Sequence, residues 1–262
     1  MGKETLRVCA AKDELPYSSA EKNGFENEIA EIVADAMNRE LKFVWADRPG
    51  IYLVPEFLRK DKCDVVMGLD SDDPRVATTQ PYYRSSYVFV YPADAGVEVK
   101  DWESGDLADM TRFAVTPYSP VEAKLREMGK WRNNLNYMFS LIGYASRRNE
   151  YVRYDPQRMI SEVASGKADI AIVWGPKAAR YVKQASRELT MNVVPDTRTS
   201  DGPVVFHYAQ SMGTRKEDKA LRDALNQAIE ARYDKIRSVL KDEGFPLLGV
   251  AGSATAKNHT GD

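Results

Sequence analysis

Two apolar runs of similar build constrain this chain's fold more than any other feature. RKDKCDVVMGLD (59–70) and ASGKADIAIVWG (164–175) each close a helix, turn at a lysine, place an aspartate at the head of a strand and then run apolar. A strand without polar alternation is buried on both faces, as in a parallel sheet covered by helices on both sides. The pair is a weak echo rather than a repeat array, and it suggests two lobes built on one βα plan.

The segments around the runs fit that plan. LRVCAA (6–11) reads as a buried strand and NGFENEIAEIVADAMNRE (23–40) as a helix, with Phe25, Ile29, Ile32, Val33, Ala36 and Met37 on one face. LKFVWA (41–46) is a second strand. A turn at Pro49-Gly50 leads to a short helix carrying Leu53, Val54, Phe57 and Leu58, with Pro55 in its first turn. With CDVVMG the order is β-α-β-α-β. A polar stretch (91–106) separates this unit from a second, opened by RFAVTPYS (112–119). Asp155-Pro156 starts a helix whose inner face is Met159, Ile160 and Val163, ended by Gly166. Strand 168–175 and helix PKAARYVKQAS follow. VVFHYAQSMG (204–213) then leads into one long helical segment over 221–240, striped by Leu221, Leu225, Ala228 and Ile229. The small, polar end (249–262) is expected to be disordered.

At 262 residues the chain can form two lobes of ordinary size. A net charge of −2, with Lys and Arg spread evenly, argues against a nucleic-acid binder. No run approaches the roughly 18 apolar residues of a membrane span. MGKETLRV shows no signal-peptide pattern, though a mature exported chain with an added Met would read the same. Cys9 and Cys63 flank strands expected side by side. Two buried thiols and a disulfide both fit them.

Ligands of parallel sheets sit beyond the carboxyl ends of the strands. Loop 12–18 brings Asp13, Glu14 and Tyr17 there, loop 69–75 brings Asp70 and Arg75, and loop 116–122 brings Tyr118 and Ser119. Trp174 stands at the end of its own strand. These give a cleft with aromatic walls and a few charges. Tyr82 and Tyr83 read as corner packing. Arg75 follows Asp70, Asp72 and Asp73, so it either grips a ligand or is neutralised by its neighbours. Chemistry is otherwise sparse. His207 and His259 are the only histidines, which leaves no histidine-based triad and no His/Cys metal set. No nucleophile elbow, phosphate loop or dinucleotide turn is present. Carboxylate acid/base pairs stay open, because sequence gives no distances.

The element order, with GFE at 24–26, Arg75 and PYY at 81–83, resembles the type II periplasmic binding-protein fold, and its amino-acid-binding members in particular. LRVCAAKDELPYS, GFENEIAEIVADAMNRELKFVWADRPGIYLV, KCDVVMGLDSDDPRVATTQPYYRSSYVFV and ADIAIVWGPKAARYV are similar to a narrower group. These are the MxaJ and XoxJ proteins, binding-protein-like periplasmic proteins associated with PQQ-dependent methanol dehydrogenase. The likeness spans roughly residues 5 to 248.

The resemblance implies an α/β fold of two lobes, each a mostly parallel sheet flanked by helices, joined by two crossings mapped to 87–92 and 204–211. Lobe 1 is then 1–91 plus 208–248, and lobe 2 is 92–207. It also implies a periplasmic, monomeric protein with no cofactor, and export favours the Cys9–Cys63 disulfide. In amino-acid binders an arginine matching Arg75 pairs with the ligand carboxylate, helped by hydroxyls just upstream. Here those positions read Gly68, Leu69 and Asp70. The acidic residue that holds the ligand ammonium falls, five on from Asp169, on Trp174. Each lost charged hydrogen bond costs ~1.5–3 kcal/mol, so free α-amino acids are expected to bind poorly. The expected function is a non-enzymatic accessory that docks or helps mature methanol dehydrogenase. The alternative is a transporter receptor for a neutral or aromatic solute.

Overall fold

The computed structural model describes residues 4–142 and 154–249. The expected disordered tail lies, past Gly249, outside the described residues. The chain opens with β1 (Thr5–Ala11), the two-residue strands β2 (Asp13–Glu14) and β3 (Ser18–Ser19), α1 (Phe25–Ala36) and β4 (Glu40–Ala46). Next come α2 (Leu53–Glu56), β5 (Val65–Asp70), β6 (Ala77–Thr78) and the long β7 (Tyr83–Pro92). α3 (Gly105–Asp109), β8 (Phe113–Val115), α4 (Pro120–Glu127), α5 (Trp131–Ser140) and α6 (Pro156–Ala164) follow. β9 (Ile170–Trp174), α7 (Gly175–Lys183), β10 (Leu189–Val193), β11 (Thr197–Thr199) and β12 (Gly202–Val204) lead to β13 (His207–Thr214), α8 (Lys219–Ala231) and α9 (Tyr233–Glu243). No helix among the described residues is long and apolar enough to cross a membrane.

One sheet runs β4-β1-β5-β13-β7-β9-β8, with β10 also on β7 and β6 on β13. β4, β1 and β5 are parallel, as are β8 and β9. β13 and β7 stand antiparallel between the two parallel runs. The apolar runs make this possible. Val65, Val66 and Met67 of β5, and Ile170 to Val173 of β9, are all buried. Each face therefore needs its own cover. On one side of the first run α1, α8 and α9 pack Ile29, Val33, Leu225, Ile229 and Ile236 into one core. On the other, Leu53, Val54 and Leu58 close a smaller core around Cys9 and Cys63. Two further cores sandwich the second run.

The two crossings meet through their ends. Tyr83 to Ser86 of β7 pair with His207 to Gln210 of β13. Residues 88–92 of β7 pair with β10, and 87–90 also pair with β9. The expected long helix over 221–240 is two helices, broken at Arg232. The break re-aims the second helix, so that Ile236, Val239 and Leu240 join Leu225 and Ile229 in the core under α1.

Helix α7 follows the second run in sequence but reaches into the first. Its Ala179 lies in the core under α1. Arg180 pairs with Glu243 of α9 and donates to the Asn23 carbonyl (3.0 Å). Beside it the chain after α9 lies on the crossing: Ser85 donates to the Pro246 carbonyl (2.7 Å) and the Leu248 amide to that of Arg84 (2.8 Å).

Cys9 and Cys63 form a disulfide between β1 and the residue leading β5, with Cα atoms 5.6 Å apart. Closing a loop of 54 residues in the unfolded chain is a substantial entropic restraint. Reduction is expected to lower unfolding stability by ~2–4 kcal/mol. Urea titrations with and without reductant measure this, the midpoint falling in the reduced protein.

Candidate functional site

The strand ends of both runs converge where β7 and β13 cross. Asp70, the last residue of β5, sits opposite Gln210 of β13, and Trp174, the last of β9, sits opposite Tyr87 of β7. Between them opens a cavity of about 490 Å³. Its aromatic wall is Tyr17, Phe43, Tyr87, Trp174 and Tyr208. Tyr87 lies 5.7 Å from Trp174 between ring centroids, and Trp174 lies 5.8 Å from Tyr208. Its charged side chains are Glu14, Glu26, Asp70, Asp73 and Arg75.

Arg75 is neutralised, and Asp73 does it. The guanidinium makes a fork onto Asp73, Nε to Oδ1 at 3.0 Å and Nη2 to Oδ2 at 2.6 Å. The Asp73 side chain is 8% exposed and that of Arg75 49%. The Arg75 hydrogen bonds hold the Asp73 carboxyl below its usual range. Asp70 is occupied differently: its Oδ1 accepts from Gln210 Nε2 at 2.7 Å. A carboxylate approaching the free edge of Arg75 therefore meets Asp73 and Asp70.

The floor of the cavity is a close packing of Glu26 on Gly68. Gly68 has φ +63°, which favours glycine, and a Cβ there would lie 2.0 Å from Glu26 Oε1, so any side chain at this position would displace the Glu26 carboxyl. Tyr82, buried as corner packing, fixes this backbone by accepting the Gly68 amide on its hydroxyl at 3.1 Å. Glu26 itself is set by the start of α1. Asn27 Oδ1 accepts the Gly24 and Ser19 amides (3.2 and 3.0 Å) and pins the first turn against β3. Among the described residues the Glu26 carboxyl accepts no hydrogen bond and meets no cation. Burial, helped by the charge of Glu14, raises it to about 8. Glu14 accepts the Gly50 amide at 2.6 Å, tying the loop after β1 to the turn after β4. Burial also raises the Tyr17 hydroxyl and lowers the Lys177 ammonium of α7, the latter against the charges of Glu14 and Asp155.

Of the residues singled out in the sequence, Tyr17, Asp70, Arg75 and Trp174 line the cavity, and Tyr118 and Ser119 do not. Tyr118 takes φ +61° and its ring is 99% exposed. Its amide is held by Glu122 at 3.0 Å, and Ser119 Oγ turns back to the Thr116 carbonyl at 2.6 Å. This local capping points both away from the cavity. Glu26, Tyr87, Tyr208 and Gln210 were not singled out as site residues. The two tyrosines had a signal, because alternate residues of crossing strands share a face. Glu26 reads as a first-turn helix acid and gave none.

The fold is that of a solute-binding protein, and the chain belongs to the bacterial extracellular solute-binding proteins, family 3, matched over residues 6–237. It is similar to Protein MoxJ of Methylorubrum extorquens, at 45% identity over 94% of this chain and 83% of the relative. The crystal structure of MxaJ from Methlophaga aminisulfidivorans MPT superposes with a TM-score of 0.90 at 54% identity, covering 93% of this chain and all of that one. The periplasmic binding protein XoxJ from Methylobacterium extorquens AM1 gives 0.69 at 26% identity, covering 93% and 99%.

A raised carboxyl makes stability pH-dependent. Glu26 is neutral in the folded chain up to about 8, whereas unfolded it ionises near 4.3. The unfolded state therefore binds fewer protons in that window, and stability falls as pH rises through it. Glu26→Gln removes this slope. Melting curves of the two proteins are expected to agree near pH 5 and separate towards pH 8.5, with the variant the more stable.

Proposed function

We propose that this chain is a non-enzymatic periplasmic accessory protein of methanol oxidation that docks a PQQ-dependent methanol dehydrogenase or helps its maturation. The observation that carries the reading is the closure of Arg75 on Asp73. The side chain expected to grip a zwitterion's carboxylate is turned onto its own loop, and an indole stands where the ammonium partner is expected. Similarity to MoxJ and MxaJ supports the assignment to this system. Two exposed apolar side chains, Tyr118 at 99% exposure and Ile51 of the cavity lining at 71%, are accessible to a partner and serve as probes of the docking reading.

A second reading, a receptor for a neutral or aromatic solute, is favoured by the aromatic cavity itself. A volume of about 490 Å³ is within the range of small-molecule sites.

Size-exclusion chromatography of the purified protein with methanol dehydrogenase at low salt separates the two. Co-elution is expected, weakened by a double variant Ile51→Asp, Tyr118→Asp, with no melting shift from free L-amino acids. Absence of any complex, together with a strong stabilisation by a neutral solute, would move the assignment to the receptor.

A further inference from the structure

We propose that the cleft receives an organic ammonium group carrying no carboxylate of its own, seated on Glu26 between the aromatic walls. The inference rests on the cleft being the binding site proposed above, and it names the chemistry that site takes. Each other carboxylate of the cavity wall already has a donor: Glu14 has the Gly50 amide, Asp70 has Gln210 and Asp73 has Arg75. Glu26 alone among them has none in the described residues. Beside it, Asn27 is 1% exposed, and its Nδ2 is a buried donor without a partner. Two polar groups of one wall thus lack partners among the described residues.

The sign of the occupant follows from the charges. Arg75, the one cation among the cavity-lining residues, is committed to Asp73. Lys177 of α7 is not among the cavity-lining residues; burial pushes its ammonium towards the neutral form, against the charges of Glu14 and Asp155. An arriving carboxylate meets Asp70 and Asp73, whereas an ammonium meets an unpaired carboxyl. Trp174, Tyr87 and Tyr208 add ring faces that attract a cation and cover its apolar stem. An isolated carboxylate out of water is costly, so the empty cleft keeps Glu26 protonated, and the incoming cation displaces that proton to solvent. The groups around Glu26 are Glu14 and Tyr17 from segment 13–19, the Gly68 backbone, and Tyr82 and Tyr83 at the head of β7. Burial raises all three tyrosine hydroxyls, so they hold their protons across the relevant range.

Two sources share this chemistry, a free amine and a lysine side chain of a docked protein. Calorimetric titration with n-butylammonium chloride, sodium butyrate and butan-1-ol at pH 6, 7 and 8 tests it. Butylammonium is expected to bind and butyrate not. Its affinity should rise with pH by up to about fiftyfold from 6 to 8, following the ionised fraction of a carboxyl at about 8. Glu26→Gln, checked for an unchanged fold by its melting curve at pH 6, should lose about tenfold or more at pH 8 and flatten the profile. Butyrate binding as tightly, a flat profile in the wild type, or an unaffected variant would overturn the proposal. Given ammonium binding, a second arm assigns the source. Displacement of bound methanol dehydrogenase by butylammonium assigns a partner lysine, and its persistence assigns a free amine. If the dehydrogenase never binds, the docking reading fails, while the titration still decides the ammonium site.

Discussion

Everything at the cleft depends on one short antiparallel pairing, Tyr83 to Ser86 with His207 to Gln210. Without it the two parallel runs would belong to separate sheets. With it they form one sheet, and the carboxyl ends of β5 and β9 come to the same place from opposite sides. Asp70 is set opposite Gln210 and Trp174 opposite Tyr87. The cavity is the space that a sheet with two parallel runs must leave at its crossing, because helices can cover the faces but not the strand ends. Tyr87 and Tyr208 then follow from the pleat, each on a crossing strand and each within ring contact of Trp174.

The charges of the cleft are best understood as an allocation. A guanidinium in fork geometry is the strongest carboxylate ligand a protein has. Here that geometry is satisfied two residues away, by an aspartate largely out of solvent. In water such a pair contributes ~0–1 kcal/mol, so its importance is not stability. Its consequence is electrostatic: the cleft keeps an arginine, but that arginine is already paired and four carboxyl side chains line the same cavity. Glu26 is the complement, a carboxyl with no hydrogen-bond donor or cation among the described residues, pressed on a glycine whose replacement would displace it.

Much of the fold was legible in the sequence, for a specific reason. CDVVMG and ADIAIVWG are too apolar for anything but fully covered strands, and the turns around them are marked by Lys, Asp and Gly. The break at Arg232 was not legible, because the apolar stripe continues in phase through it and only the shared core under α1 requires the change of direction. Within the site, Tyr17, Asp70, Arg75 and Trp174 could be found because strand ends predict position. Tyr118 could not be placed, since a non-glycine residue at φ +61° reverses where its ring points. Arg75 posed a choice among three aspartates that sequence cannot make. Asp73 won because, two residues before Arg75, it accepts that residue's backbone amide at 2.9 Å as well as its side chain.

The same local logic bears on motion. A binding protein that closes by hinging needs its halves linked by the crossings alone. Here α7 adds a third link. Its Arg180 is paired with Glu243 of α9 with both side chains mostly buried, at 19% and 13% exposure, and its Ala179 is packed in the first core. Breaking one partner of a buried pair leaves an uncompensated charge. Rotation of the second run about the crossing must either carry α9 with it or expose that charge. Gly175, at the head of α7, tightens the constraint: a Cβ there would come within 2.8 Å of the Ser86 carbonyl on the crossing strand. The helix is held against the crossing at one end and against α9 further along. A cleft braced in this way is held in a preformed shape, and a preformed site pays less ordering entropy on binding than one that must first close.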